Sequence, residues 1–205
     1  MSITAIALAV ALGAPLAAPI PRPPQCAPDF QPRVVRLKVY NQSRLHQTDI
    51  DAVLDVANSI WKRYGVTLEL SEDPDAVAVV VTKKSSAVPY RGSPEVLGTT
   101  LFTQGHATPY IRLSLGAIEA FAEDTSENGI LFAMRPIDQR DAMLTRMLGV
   151  ALAHEMAHYL LDTAEHSGTG LLQPGLDIHA LASPEPARLT LTPGQQRLLV
   201  RAAVK

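Results

Sequence analysis

At 205 residues, with 47% hydrophobic composition and a formal net charge of −2, the chain can bury one sizeable core but not two full domains. The near-neutral balance excludes a basic field that would attract nucleic acid, and Lys and Arg are scattered, so no DNA or RNA partner is expected. Cys26 is the only cysteine, so no internal disulfide can staple the fold and its stability must come from its core.

Residues 1–18, MSITAIALAVALGAPLAA, are small, apolar and free of side-chain charge. They match the apolar region of a secretory signal ending near Gly13 or Ala18, and are too short and Pro-interrupted to span a bilayer comfortably. The start lacks Lys or Arg, which leaves an uncleaved apolar anchor as the alternative. Either way the protein is expected to be secreted or periplasmic, with no membrane contact beyond that segment. Residues 19–32, PIPRPPQCAPDFQP, lack backbone donors and favour an extended polyproline-like form, a linker or pro-segment. The domain is therefore expected over residues 33–205.

It opens at RVVRLKVY, where Val34, Arg36, Lys38 and Tyr40 alternate with Val35, Leu37 and Val39 as in a strand. In TDIDAVLDVANSIWKRYG, the residues Ile50, Val53, Leu54, Ala57, Ile60, Trp61 and Tyr64 keep helical spacing. Thr48 is the expected N-cap, with Asp51 three residues on, and Gly65 the stop. Trp61 and Tyr64 read as core anchors. VTLEL (66–70) and AVAVVVTK (76–83) read as strands, the second apolar on both faces and so central to a covered sheet. Two further strands, VLGTTLF (96–102) and YIRLSLG (110–116), flank TQGHATP, a loop rich in turn formers. Residues 117–136 show no period that places them. From Asp138, the expected N-cap, to Thr163 runs one long helix with an apolar stripe of Met143, Leu144, Met147, Leu148, Ala151 and Leu152. Its second half is almost uncharged and must be buried. The chain is then punctuated by Gly and Pro until Thr192, where Pro193 at the first helical position opens a closing helix.

The long helix carries His154, Glu155 and His158 in the spacing HExxH. Two histidines four apart share one helix face and suit a single zinc ion. Glu155, rotated about 100° from His154, lies beside such a metal instead of on it, where a carboxylate can take a proton from attacking water. A third ligand is needed, and Asp162 lies on the same face. Eight residues of helix, however, rise about 12 Å, far beyond a ligand sphere of about 2 Å. The third donor must come from chain that leaves the helix and turns back, and His166 is the nearest. His179 and Glu185 are its rivals, although ALASPEPARL around Glu185 is Pro-broken. His46 and His106 read as solvent-facing loop residues.

These residues resemble the metzincin metallopeptidases, whose motif HExxHxxGxxH is followed by a tight turn containing Met. HEMAHYLLDTAEH lacks that Gly, and its third His lies two residues further on. The stretch is more similar to a group of bacterial secreted metzincin-like proteins with HExxHxLLxxxxHSxxGIM. It matches at His154, Glu155, His158, Leu160, Leu161, His166, Ser167 and Gly170, and departs at Leu172, where the turn Met would be. The resemblance implies an α+β fold: a metzincin-like twisted mixed sheet backed by two long helices, with a small irregular C-terminal subdomain ending in a helix. It also implies a cleft under an antiparallel edge strand, one of those flanking TQGHATP, with which an extended peptide can pair.

The expected function is a secreted zinc endopeptidase, expected as a monomer and acting on peptide or protein substrates. Zn2+ would be held by His154, His158 and His166, with Glu155 as general base toward metal-activated water. The departure at Leu172 leaves open an inactive zinc-containing peptide-binding module. A structural zinc protein would give Glu155 no role and would close all four metal positions. PPQCAPDF loosely resembles the latency switch of matrix metallopeptidases, in which a thiolate silences the zinc, but Gln25 and Ala27 replace its flanking Arg and Gly.

Overall fold

The computed structural model describes residues 32–83, 97–123, 126–127, 130–176, 178–183, 185 and 189–202. The signal or anchor at 1–18, the linker up to residue 31 and Cys26 with its latency reading lie outside the described residues.

Five strands form one sheet in the order β2-β1-β3-β5-β4: β1 (Arg33–Asn41), β2 (Val66–Leu70), β3 (Val77–Thr82), β4 (Gly98–Thr103) and β5 (His106–Ser114). β1 runs parallel to β2 and β3, and β3 runs parallel to β5. Only β4 is antiparallel, and it forms an edge. This is the mixed sheet expected, with the antiparallel edge on one of the strands flanking TQGHATP. That loop, however, contracts to Gln104 and Gly105, whose φ values of 54° and 85° make a two-residue hairpin turn. β5 passes through Pro109 because the register of β4 against β5 shifts between Thr100 and Phe102, and because pairing with β3 starts only at Tyr110.

Two long helices, α1 (Gln47–Trp61) and α3 (Ile137–Leu161), cover one face of the sheet. Val35, Leu37, Val66, Leu68, Val77, Val79, Val81, Ile111 and Leu113 point into the core they form. β3 is the middle strand, but Ala78, Val80 and Thr82 on its other side are only half-buried, so helices back the sheet on one side rather than both. The helices cross closely at Gly149, where an added methyl group would lie 2.6 Å from Val56 Cβ and 2.8 Å from the Val53 carbonyl. Trp61 is buried and meets Tyr64 edge-on at 5.9 Å, as their apolar spacing predicts. The Tyr64 hydroxyl also accepts the Leu191 N–H at 2.7 Å, tying the C-terminal segment to α1.

Both helix starts differ from the expected caps. α1 begins after His46, not Thr48, because the Asp49 carboxylate accepts the His46 N–H at 3.0 Å. α3 begins after Pro136, whose carbonyl accepts from Gln139 and Arg140 at 3.1 and 3.0 Å. Asp138 therefore lies inside the first turn, where its charge suits the helix dipole. β5 ends at Ser114, whose hydroxyl accepts the Ala117 N–H at 3.1 Å and starts α2 (Leu115–Glu123). The unplaced stretch thus holds α2, the small hairpin β6 (Ser126–Glu127) and β7 (Ile130–Leu131), and a 3-10 turn at Phe132–Met134. After α3 come a short α4 (Ile178–Ala182) and α5 (Pro193–Ala202). Thr192 and Gln195 cap α5 reciprocally, at 2.8 and 3.3 Å.

Candidate metal centre

α3 ends at Leu161 because Asp162 turns left-handed, with φ 49°, a conformation a short polar side chain tolerates. The chain then doubles back under the helix. The Thr163 carbonyl accepts Nδ1–H of His158 at 2.7 Å, and the Leu171 carbonyl accepts Nδ1–H of His154 at 2.7 Å. The loop between is itself braced. Ser167 N–H donates to the Leu172 carbonyl at 2.8 Å, Leu171 N–H to the Thr190 carbonyl at 2.9 Å, and Gln195 Nε2 to Ser167 Oγ at 3.2 Å. Gly170, at φ +81°, has no room for a side chain against the Thr190 carbonyl. Leu172 is fully buried beneath this loop.

The return brings His166 back to the helix. Its ring centre lies 5.4 Å from that of His154 and 4.9 Å from that of His158. One ligand nitrogen from each of the three rings falls within 4.8 Å of the others. His154 is half-buried, His158 buried and His166 exposed. Among the described residues this is the group of histidines and acids that could hold a metal ion. His179 and Glu185 are exposed and stand outside it, as does Asp162.

The tautomers make the cluster a cation trap. With Nδ1–H committed to a carbonyl, each helix histidine presents a bare lone pair at Nε2. The two Nε2 atoms face each other at 3.2 Å with no proton to share. Protonation does not relieve this, because burial, then the neighbouring His158 charge, lowers His154 to about 4. Burial lowers His158 as well. Two ligands about 2.0–2.1 Å from a tetrahedral ion are roughly 3.3 Å apart, so the pair is already at bite distance. A set of three imidazoles suits zinc better than the hard cations calcium or magnesium.

Glu155 packs against β4. Its side chain is buried, and burial raises its pKa from 4.5 to about 7, although a hydrogen bond from Thr100 pulls the other way. Thr100 Oγ lies 2.8 Å from Glu155 Oε2 and 2.9 Å from its carbonyl oxygen. At Gly98, an added methyl group would sit 2.7 Å from Glu155 Cγ. Thr100 and Gly98 belong to a strand 55 residues away in sequence, and nothing local in LGTTLF singles them out.

A cleft of about 870 Å³ opens between β4 and the returning chain. His154, Glu155, His158 and His166 line its floor, and Leu97, Phe102, Phe121, Leu176 and Leu181 its apolar walls. Asp162, just past α3, ties that helix to the sheet. Its carboxylate reaches the β4–β5 turn, with Oδ2 at 2.8 Å from His106 Nδ1 and Oδ1 accepting the Ala107 N–H at 2.7 Å. His106 is exposed as expected, but it is a strand residue gripped by the end of the histidine helix and not a free loop residue. His46 is exposed at the start of α1.

No protein-family model and no curated protein matches the sequence. Among solved structures, the fold is similar to that of the archaemetzincin of Methanopyrus kandleri. The TM-score is 0.50 at 11% identity, over 84% of this chain and 96% of that one. At that identity the likeness is one of fold.

Proposed function

We propose that this chain is a zinc-dependent endopeptidase that works as a monomer outside the cytoplasm on peptide or protein substrates. The observation that carries this reading is the convergence of His154, His158 and His166 on one point, with Glu155 lining the same cleft along β4, an edge strand among the described residues. The resemblance of the motif to metzincins and a fold similar to an archaemetzincin support it. The charge-free apolar run at residues 1–18 supports export.

His154 and His158 would hold zinc through Nε2, with His166 completing the set. A zinc ion held there would supply Lewis acidity toward the substrate carbonyl and toward water. The remaining steps belong to the chain. Among the described residues β4 pairs with β5 on one side only, so its other edge can receive an extended peptide through backbone hydrogen bonds. The apolar walls take a substrate side chain. The Glu155 carboxylate accepts the proton of the attacking water and delivers it to the departing amine.

The test is cleavage of casein or a peptide library by the purified protein. Cleavage should be abolished by chelation, restored by zinc, and lost in Glu155→Gln while zinc is retained. Stoichiometric zinc without cleavage across broad libraries would replace this reading with a peptide-binding module.

A further inference from the structure

Glutamate has three rotatable side-chain bonds, and a general base works only when its carboxylate is held in one place. In this fold that place is set from outside the helix. Thr100 and Gly98 are two apart on β4 and so share one strand face, the face on which Glu155 lies. Gly98 has no positive φ, so its missing side chain supplies room and not backbone freedom. A methyl group there would sit 2.9 Å from Glu155 Oε1 and 3.1 Å from Cδ. Oε1 thus rests against the glycine while Oε2 meets the Thr100 hydroxyl at 2.8 Å. The hydroxyl has one proton and two acceptors in range, Oε2 and the Glu155 carbonyl oxygen. The carbonyl sits inside α3, where the helix ladder already supplies a donor. Of the two, an ionised carboxylate is the stronger acceptor of that single proton. Thr100 is itself buried, on a β-branched side chain with few rotamers, so the donor is rigid.

We infer that Thr100 is a positioning residue for the reaction: its hydroxyl and the gap at Gly98 pin the Glu155 carboxylate against β4, beside the three histidines. The inference rests on the hydrolase reading above and assigns the edge strand a second task. Besides offering its outer edge to substrate, β4 holds the base with its inner face.

The experiment compares Thr100→Val, which keeps the shape and removes the hydroxyl, with Thr100→Ser, which keeps the hydroxyl. The purified full chain is assayed on a fluorogenic peptide that the wild type cleaves. Thr100→Val is expected to lower kcat about tenfold to a hundredfold, with KM, zinc stoichiometry and zinc affinity within about twofold of wild type. Thr100→Ser should recover most of the loss. A crystal structure of Thr100→Val should show the Glu155 carboxylate turned off its wild-type position, and that of Thr100→Ser should not. Should Thr100→Val not fold, Gly98→Ala reads the same contact from the other side, its methyl group displacing the carboxylate with the hydroxyl intact and lowering kcat. Wild-type kcat in Thr100→Val, or Thr100→Ser as impaired as Thr100→Val, overturns the inference and leaves the hydrolase reading standing. Loss of zinc in step with activity would likewise overturn it, by making the contact structural. A wild type that cleaves nothing removes both.

Discussion

Glu155→Gln tests the electrostatics of the cleft independently of turnover. Burial raises the Glu155 carboxyl from 4.5 to about 7 in the folded protein, while the unfolded chain titrates it at its ordinary value. Between those pH values the folded state binds the proton more tightly. Its contribution to stability is therefore greatest below pH 4.5 and is lost as pH rises through 7. At about 1.4 kcal/mol per pH unit the loss comes to roughly 3 kcal/mol, and the group is too buried for solvent to screen much of it. Gln carries no charge and escapes that loss. In chelator, the stability of Glu155→Gln relative to wild type should rise by roughly 3 kcal/mol between about pH 4 and about pH 8.5. Both proteins share the contribution of His154, which burial holds at about 4. That contribution is present above 6.5 and lost as pH falls toward 4, so the difference isolates the carboxyl. Urea unfolding followed through Trp61, the only tryptophan and fully buried, measures it at each pH. A difference between the two proteins that stays flat across this range would refute a buried, proton-retaining Glu155.

Substitutions at three other positions probe the supports of the site. Gly170→Ala forces a side chain into a left-handed conformation and against the Thr190 carbonyl; urea unfolding should show a loss of about 2 kcal/mol or more, with weakened zinc binding because the loop carrying His166 must shift. Asp162→Ala removes the grip on the β4–β5 turn and strains the left-handed helix end. A stability loss of about 1–2 kcal/mol is expected, with faster amide exchange at Ala107. Asp162→Asn, which still accepts the Ala107 N–H and tolerates that backbone, should stay within about 1 kcal/mol of wild type, since the exposed His106 pair contributes little. Tyr64→Phe leaves the buried Leu191 N–H without its partner and should cost about 1–3 kcal/mol by the same unfolding assay.

What could be read along the chain was what neighbouring residues encode. The stripe from Ile50 to Trp61 became α1, with Tyr64 in the 3-10 turn that follows, the alternation in RVVRLKVY became β1, and the uncharged run around Val150 became the buried half of α3. HExxH placed Glu155 off the shared face of His154 and His158 because helix geometry alone dictates it. The rise of that helix ruled out Asp162 and directed attention to the returning chain, where His166 lies. Boundaries were less legible, since caps compete within a residue or two: Asp49 captured the His46 N–H and moved the start of α1. Residues 117–136 held elements too short for a period to emerge. Least legible were contacts across the fold. Thr100 meets Glu155 and His106 meets Asp162 over separations of 55 and 56 residues, and no local pattern announces a partner at that distance.

The central claim is that one zinc ion sits among three imidazoles. X-ray absorption at the zinc edge, on protein whose metal content has been measured by mass spectrometry, tests it directly. The account predicts one zinc per chain with three nitrogen ligands at about 2.0–2.1 Å, one of them lost in His166→Ala. A chain that takes up no stoichiometric zinc, or a zinc spectrum unchanged by His166→Ala, would contradict it.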